Sequence, residues 1–222
     1  MGNMTANIIS YAAEYEEYLH DESRRTGNAD SICFPTTEGE VVEIVEEAAK
    51  SGHSVTIQGA RTGIVAGAVP DGGLILNLSR MNKIGEVTDS GVTVQPGALL
   101  SEARNVIEPS GLFLPPDPTE TSASIGGMVA CNASGAMSFR YGPTRDWVNS
   151  IRVVLADGDT IALKRGECTA KGRSFSLTTE SGRVIEGALP GYTMPAVKSA
   201  AGYYVANDMD MIDLFIGSEG TL

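Results

Sequence analysis

The chain has 222 residues, of which 42% are hydrophobic and 20% are charged, so it is long enough to bury a sizeable core. Its formal net charge of −12 argues against a nucleic-acid partner, because binding to phosphates needs clustered lysine and arginine. No apolar stretch approaches the roughly 18 residues of a membrane-spanning helix, and the N-terminus lacks the pattern of a signal peptide. We therefore expect a cytoplasmic protein without a membrane span.

Cysteine, histidine and glycine usage narrows the chemistry further. Cys33, Cys131 and Cys168 form no C-x-x-C pair, and the only histidines are His20 and His53. This distribution predicts reduced thiols and no metal site. Glycine is the outlier, with 26 glycines in 222 residues against an average of roughly 7%. The positions of these glycines are therefore informative.

The first part of the chain shows alternating helix and strand signals. Apolar residues at helical spacing predict an amphipathic helix from Ala6 to about Arg24. Thr37 and Glu40 make a capping box that starts a second helix, and Gly52 ends it. Strands are predicted on both sides of a small-residue loop, at Ser54–Gln58 and Leu74–Leu78. This order indicates an α/β first lobe.

The rest of the chain reads as hairpins joined by short helices. Apolar strands around turn residues predict three hairpins, within residues 84–95, 151–163 and 174–186. Helices are predicted at Leu99–Ile107 and Asp210–Ile216. The proline run at 115–118 cannot lie inside a helix, because each proline lacks a backbone donor. Together these elements predict an α+β chain.

A glycine-rich loop follows the predicted strand that ends at Gln58. It carries Gly59, Gly63 and Gly67 among other small residues, which let the backbone approach a ligand closely. Successive N–H groups in such a loop can bind one anion, and Arg61 adds a positive charge. The loop is neither a Walker loop nor the dinucleotide fingerprint, because its glycines are four residues apart. A glycine-rich connection without a ligand is the alternative.

Three further stretches combine small residues with hydroxyls, a cation or a turn, at 115–127, 132–142 and 217–222. The first places hydroxyls before Gly126 and Gly127, where a helix start favours a phosphate or a polar ring edge. Each stretch alone also has a structural explanation: an N-cap at Ser122 or Ser124, tight helix packing, or a plain turn. Four such stretches in one chain favour an extended cofactor with a pyrophosphate over a single small ligand.

With these motifs in view, the chain resembles the FAD-binding domain of flavoproteins of the vanillyl-alcohol oxidase and para-cresol methylhydroxylase (PCMH) type, in the branch of the glycolate oxidase subunit and D-lactate dehydrogenase. The resemblance runs from about Phe34 to Leu222. It rests on five motifs in matching order and spacing: Gly59–Gly63, Pro116–Pro118 with Ser124–Gly127, Arg140–Gly142, Leu155–Gly158 and Ile216–Leu222. It implies an α+β, PCMH-type domain of two lobes, about 1–80 and about 81–222, with FAD between them.

The resemblance also implies which residues bind the cofactor. The pyrophosphate would be held by one loop, at Gly59, Ala60, Arg61, Thr62 and Gly63, with Gly67 beside it. The ribityl and isoalloxazine region would be lined by a second set of residues: Pro116, Asp117, Ser122, Gly126 and Gly127, with Asn132 and Ser134 nearby and Glu219 also in contact. Relatives that attach flavin covalently use histidine, cysteine or tyrosine. No histidine lies in any of these motifs, so non-covalent FAD is expected.

The implied activity is oxidation of a small 2-hydroxy acid, of the D-lactate or glycolate class, by hydride transfer to flavin. One alternative is a flavin-carrying subunit of a larger redox complex, without its own turnover. Another is a nucleotide-binding protein without flavin. The C-terminal substrate-binding domain expected after Leu222, with its catalytic groups, is absent, and residues 166–196 look like an insertion. We therefore interpret the chain as a fragment, or one product of a split enzyme, that is inactive alone.

Overall fold

The first α-helix begins and ends where its capping residues predict. In the computed structural model, which describes residues 7–222, α1 spans Glu38–Ser51. The hydroxyl of Thr37 accepts a hydrogen bond from the N–H of Glu40 at 3.2 Å, and the Glu40 carboxylate accepts one from the N–H of Thr36 at 2.6 Å. Gly52, with φ 70°, ends the helix in the left-handed conformation that glycine adopts at little cost.

Helix α1 packs on a four-stranded sheet. The strands are β1 at Ile8–Ser10, β2 at Ser31–Cys33, β3 at Val55–Gln58 and β4 at Leu74–Asn77. Their order is β1-β2-β4-β3, with β2 and β3 parallel to β4 and β1 antiparallel to β2. All four residues of β4 are buried, as expected for a strand with neighbours on both sides. The predicted α/β start of the chain is confirmed.

The predicted helix from Ala6 to about Arg24 is wrong. Ala6 lies outside the described residues, Ile8–Ser10 form β1, and Ala13–Leu19 form a 3₁₀ helix. In a 3₁₀ helix side chains three residues apart lie on one face. This brings the rings of Tyr15 and Tyr18 together, with centroids 6.2 Å apart, and both rings pack against Phe34. The apolar spacing was compatible with either helix, and packing against Phe34 favours the tighter one.

The rest of the chain contains the three predicted hairpins and the two predicted helices, together with short helices that were not predicted. The hairpins pair β5 with β6, β7 with β8 and β9 with β10, at Ile84–Thr88, Gly91–Val94, Ser150–Val154, Thr160–Lys164, Ser174–Thr178 and Val184–Ala188. The α-helices are α2 to α5, at Leu100–Ile107, Ile125–Ala130, Ser138–Tyr141 and Ile212–Phe215. Further 3₁₀ helices lie at Leu78–Arg80, Glu108–Ser110 and Thr144–Trp147.

The chain divides into two compact units. The first contains residues up to 114 together with 118–127, and the second contains 115–117 together with 128–222. The core of the first unit includes Cys33, Ile44, Leu74 and Leu76. The second has its own core, formed among others by Ile161, Leu163, Leu177, Met211, Ile212 and Ile216. The lobe boundary near residue 80 stays a prediction, because these units reflect contacts within the chain and not the cofactor.

The described residues contain neither a membrane-spanning helix nor a cluster of metal-binding side chains. From residue 7 onward, every helix is too short or too polar to cross a bilayer. Within the same range, no three side chains of the metal-binding types cluster closely enough to hold a metal ion.

Candidate functional site

Most backbone N–H groups of the glycine loop, defined here as Gly59–Gly67, have no acceptor among the described residues, although that of Ala60 donates to Ser124. From Arg61 to Gly67, no N–H group donates a hydrogen bond to an acceptor in the described part of the chain. Arg61 and Ala66 have φ angles of 58° and 63°, in the left-handed region that disfavours residues with a Cβ. All residues from Arg61 to Gly67 are half-buried or exposed, so these donors are available to water or to an acceptor-rich ligand.

The glycines of this loop differ in what a side chain would meet. A Cβ added at Gly63 or Gly67 has nothing within 4 Å, whereas a Cβ at Gly59 would lie 2.1 Å from Oγ of Ser124. Gly59 is therefore required by packing within the chain. Gly63 and Gly67 border open space next to the unused N–H groups, and this space suits an anion such as a pyrophosphate. The residues present thus fit the phosphate part of FAD.

Arg61 lies in the loop, but its side chain already has partners. Its guanidinium contacts the Glu17 carboxylate at 3.0 Å and lies 4.3 Å from the centre of the Tyr18 ring. Both partners lie in the N-terminal 3₁₀ helix, Glu17 44 and Tyr18 43 positions before Arg61. No local sequence pattern could therefore predict these contacts. The positive charge predicted for the pyrophosphate is therefore shared with the Glu17 carboxylate, and the loop's backbone provides further donors.

Ser124 connects the glycine loop to the start of α3. It is buried, and its hydroxyl accepts hydrogen bonds from the N–H groups of Ala60 and Gly127, both at 3.3 Å. Gly126 packs closely on Pro96, because a Cβ there would lie 2.6 Å from the proline side chain. Ser124, not Ser122, therefore stands at the helix start, and Gly126 has a packing reason of its own.

Ser122 is exposed and pairs with an acidic neighbour. Its hydroxyl donates to the Glu120 carboxylate at 2.8 Å, and its N–H donates to the same oxygen at 3.0 Å. These two hydrogen bonds lower the pKa of Glu120 below its usual range, and the one from the N–H contributes most. The Ser122 hydroxyl remains accessible to a ligand.

In the second unit, Asn132 and the C-terminal segment 217–222 lie beside the end of α3. The side-chain oxygen of Asn132, a buried residue with φ 46°, accepts a hydrogen bond from the N–H of Arg145 at 3.0 Å. The N–H groups of Gly217 and Glu219 donate to the carbonyls of Val129 and Ala130, at 3.0 and 2.9 Å. The structure thus brings Asn132 together with two residues of a predicted cofactor segment.

The other predicted residues of this unit have simpler surroundings. The Asp117 carbonyl accepts a hydrogen bond from the N–H of Ala136 at 3.2 Å, which joins the proline segment to the loop after α3. Pro116 is buried and Ser134 is half-buried. Thr62, in the first unit, is also half-buried.

Sequence reasoning missed a cluster of ionic side chains in the second unit. Asp213 pairs with Arg145 at 3.1 Å and with Arg165 at 2.9 Å. The Arg145 guanidinium also donates to the carbonyl of Ile216 and lies 4.5 Å from the ring centre of Tyr204. Pairing with Asp213 raises the pKa of Arg165 further above its usual value. These residues are far apart in sequence, so no motif connects them.

The thiols and imidazoles are poor nucleophiles or lie away from these motifs. Burial raises the pKa of Cys33 to about 12. Cys131 is exposed, yet partial desolvation of its sulfur, followed by the charge of Glu219, raises its pKa. His53 is exposed, with Nδ1 3.0 Å from the hydroxyl of Ser51.

Comparison with known families and proteins identifies relatives. The family described as FAD binding domain matches residues 29–164. D-lactate dehydrogenase from Anaerostipes hadrus is 34% identical over 212 residues, covering 93% of this chain and 37% of that protein. D-2-hydroxyglutarate dehydrogenase from Xanthomonas citri is 34% identical, covering 95% and 38%. Glycolate oxidase subunit GlcD from Bacillus subtilis is 32% identical, covering 87% and 34%. The chain thus spans little more than a third of these relatives.

Solved structures agree on the fold. Chitooligosaccharide oxidase aligns with a TM-score of 0.65 and 23% identity, over 73% of this chain and 36% of that chain. Glucooligosaccharide oxidase from Acremonium strictum, described with a 6-S-cysteinyl, 8α-N1-histidyl FAD, aligns with a TM-score of 0.64 and 22% identity, over 73% and 35%. These likenesses confirm the predicted α+β, PCMH-type fold.

Proposed function

Because the chain belongs to the FAD binding domain family, as its motifs predict, we propose that its glycine loop binds the pyrophosphate of FAD through backbone N–H groups. The unused donors between Arg61 and Gly67 are the observation that carries this proposal. Family membership also decides against the alternative of a nucleotide-binding protein without flavin.

The charge distribution supports a backbone-based site. The chain carries a net charge of −12, so a doubly charged pyrophosphate needs local donors rather than a general positive field. Because Arg61 is already paired with Glu17, the N–H groups of the loop are the main donors for the pyrophosphate. Gly63 and Gly67 leave room for phosphate oxygens to approach that backbone.

The remaining predicted contacts form the second part of the proposal. Around the ribityl chain and the ring we place the residues implied by the resemblance: Pro116, Asp117, Ser122, Gly126, Gly127, Asn132, Ser134 and Glu219. The hydroxyl of the exposed Ser122 already donates its hydrogen to Glu120, so towards a ligand its oxygen acts as an acceptor, and the N–H of Gly127 already contacts Ser124. Gly126 packs tightly on Pro96, so we propose that it also holds the start of α3 in place, in addition to any contact with the cofactor.

We further propose that FAD is held without a covalent bond. The flavin of the Acremonium strictum oxidase carries cysteinyl and histidinyl links. Here the exposed imidazole of His53 contacts Ser51 at the end of α1, outside every motif. Cys131 lies near the predicted contacts, but its raised pKa lowers the thiolate fraction that a covalent attachment would use.

For the whole protein, we propose oxidation of a small 2-hydroxy acid. Relatives include enzymes named D-lactate dehydrogenase and D-2-hydroxyglutarate dehydrogenase and a glycolate oxidase subunit. In such an enzyme flavin accepts the hydride, and the protein binds and orients it. The groups that bind substrate would come from a domain or subunit beyond this chain. A flavin-carrying subunit without turnover is the second candidate, favoured by co-purification with another polypeptide. A cytoplasmic location stays a prediction, tested by cell fractionation.

FAD titration followed by acid precipitation tests the binding proposal. FAD at about 100 times its dissociation constant should stabilise the fold by roughly 2.7 kcal/mol. For a domain of this size, that corresponds to a melting-temperature rise on the order of 5–10 °C. Acid should then release all of the flavin into the supernatant. The absence of a thermal shift on adding FAD would overturn the binding proposal. Flavin that stays in the pellet would overturn the non-covalent proposal.

A further inference from the structure

Gln58 closes the glycine loop with a single buried amide. It is the last residue of β3, and its side chain is completely buried. Its amide nitrogen Nε2 donates to the carbonyl of Ala68 at 2.7 Å, on the far side of the loop, and to the carbonyl of Tyr18 at 2.7 Å. Both hydrogens of the amide group are therefore used, and one side chain joins the start of the loop to its end.

The orientation of this amide is fixed by its neighbours. Both acceptors are carbonyl oxygens, so only the NH₂ group of Gln58 can face them. Its oxygen Oε1 accepts a hydrogen bond from Nδ2 of Asn77 at 3.3 Å, and Oδ1 of Asn77 accepts one from the N–H of Ser79 at 3.0 Å. Asn77 is also completely buried. A buried network in which each of these polar side-chain atoms has a partner is costly to rearrange, because any broken bond leaves a polar group without water.

The loop between these anchors has little hydrogen bonding of its own. Its N–H groups from Arg61 to Gly67 have no acceptor in the described part of the chain. Its first half is restrained through Ser124 to Ala60 and through Tyr18 and Glu17 to Arg61. In its second half, the carbonyl of Ala66 accepts a hydrogen bond from the N–H of Val69 at 3.2 Å. Among the described residues no side-chain hydrogen bond reaches the backbone between Ile64 and Gly67, so this turn and the bond from Gln58 to Ala68 restrain the second half.

From this geometry we propose that Gln58 is a positioning residue that holds the glycine loop ready for an anion. The inference rests on the proposed function, because it assumes that the pyrophosphate of FAD binds this loop. A loop fixed in its binding conformation does not have to be ordered when the ligand binds, and this raises affinity without any direct contact. If the fraction of molecules with a competent loop falls tenfold, the apparent dissociation constant rises tenfold.

Gln58→Leu is the direct test, with Gln95→Leu as its matched control. The chain has only these two glutamines, and Gln95 accepts a hydrogen bond from the N–H of Lys83 at 2.9 Å, in the β5–β6 hairpin. Dissociation constants would be measured for FAD, for ADP and for riboflavin, which lacks the pyrophosphate. We expect Gln58→Leu to raise the dissociation constants of FAD and ADP by about tenfold or more, and that of riboflavin by less than about twofold. Gln95→Leu should leave all three unchanged.

A second measurement follows the loop without any ligand. Arg61 is the only lysine or arginine between Gly59 and Ala68, so tryptic cleavage after it reports opening of the loop. We expect faster cleavage at this bond in Gln58→Leu than in Gln95→Leu. If Gln58→Leu does not fold, Asn77→Asp replaces it: this change removes the donor to Gln58 but keeps the acceptor for Ser79.

The outcomes separate the two proposals. Failure of the unmodified chain to bind FAD would overturn the proposed function itself. Binding of FAD by Gln58→Leu, or by Asn77→Asp where Gln58→Leu does not fold, with the affinity of the unmodified chain would overturn the positioning role alone. Equal losses for FAD and riboflavin would also overturn it, because they would indicate a general structural defect. Selective loss of FAD and ADP, with faster cleavage after Arg61, supports it.

Discussion

Arg145 and Asp213 form an ion pair in which both side chains are almost buried, with 3.1 Å between Nη1 and Oδ1. Arg165 contacts the same carboxylate at 2.9 Å, so one negative charge is shared by two guanidinium groups. Arg145 also donates to the carbonyl of Ile216, directly before the C-terminal segment 217–222. The cluster therefore holds in place the segment whose Gly217 and Glu219 bond to the end of α3.

Removing the charge of Asp213 should destabilise the second unit strongly. Asp213→Asn leaves two guanidinium groups without a carboxylate, and breaking a buried pair in this way costs about 3–5 kcal/mol. Urea unfolding followed by the fluorescence of Trp147, the only tryptophan, measures this unit. We expect a clearly lower unfolding midpoint.

An exposed ion pair of the same unit provides the control. Arg152 and Glu180 are each roughly half exposed, so Glu180→Gln should lower the free energy of unfolding far less than Asp213→Asn does. Similar effects for Asp213→Asn and Glu180→Gln would contradict the role given to the buried cluster.

Gly63→Val should impair FAD binding without impairing folding. A Cβ at this position meets no atom of the chain within 4 Å, and Gly63 is not among the residues with positive φ. The valine would instead occupy the space proposed for phosphate oxygens. We expect FAD affinity to fall by at least about tenfold, equivalent to about 1.4 kcal/mol, with little change for riboflavin. Fluorescence titration and thermal melting measure the two effects separately.

Gly59→Val is the informative counterpart, because both glycines lie in the same loop. Its Cβ would lie 2.1 Å from Oγ of Ser124, so this variant should lose stability whether or not FAD is present. A stable Gly59→Val, or an unstable Gly63→Val, would contradict the division between packing glycines and ligand-facing glycines.

Two non-glycine residues hold the loop in a left-handed conformation, and we expect them to respond differently to substitution. Ala66→Gly removes the strain of a Cβ at φ 63° and should stabilise the fold by a few tenths to about 1 kcal/mol, because this strain exceeds the entropy cost of a glycine. Arg61→Ala keeps the left-handed residue but loses Glu17 and Tyr18. We expect a lower melting temperature for Arg61→Ala but little change in its dissociation constant for FAD, because the loop backbone provides most of the donors to the pyrophosphate. Melting curves with and without FAD test both variants.

The sequence predicted those features that depend on neighbouring residues. The caps at Thr37 and Gly52 and the three hairpins follow from local patterns, and they appear as expected. The N-terminal 3₁₀ helix was missed because aromatic packing against Phe34, not spacing alone, selects it.

The candidate site was predictable as a set of small-residue loops but not as a set of contacts. Arg61 looked like an anion-binding cation until its partners Glu17 and Tyr18 were seen. The hydrogen bond from Gln58 to Tyr18 and the one from Arg145 to Ile216 join residues that are 40 and 71 positions apart in the chain. Such pairings depend on the tertiary fold, and motif spacing contains no information about them.

Catalysis needs more than a bound flavin. Hydride transfer needs the substrate carbon about 3–3.5 Å from the flavin, and such positioning can lower the barrier by roughly 7–11 kcal/mol. A base must also take the hydroxyl proton of the substrate. Among the imidazoles, His53 is exposed and bonded to Ser51, and His20 pairs through its backbone with Thr26 in the N-terminal segment. Neither histidine belongs to a proposed flavin contact.

We therefore expect the chain to bind FAD but to reduce it negligibly with D-lactate, L-lactate or glycolate. Anaerobic mixing with each acid, followed by the flavin absorbance, measures the reduction, and dithionite serves as the positive control for a reducible bound flavin. Bleaching that requires the rest of the protein or a partner subunit would agree with substrate groups beyond residue 222. Rapid bleaching by this chain alone would mean that the base and the substrate contacts lie within it, and the roles proposed for its loops would have to be reassigned.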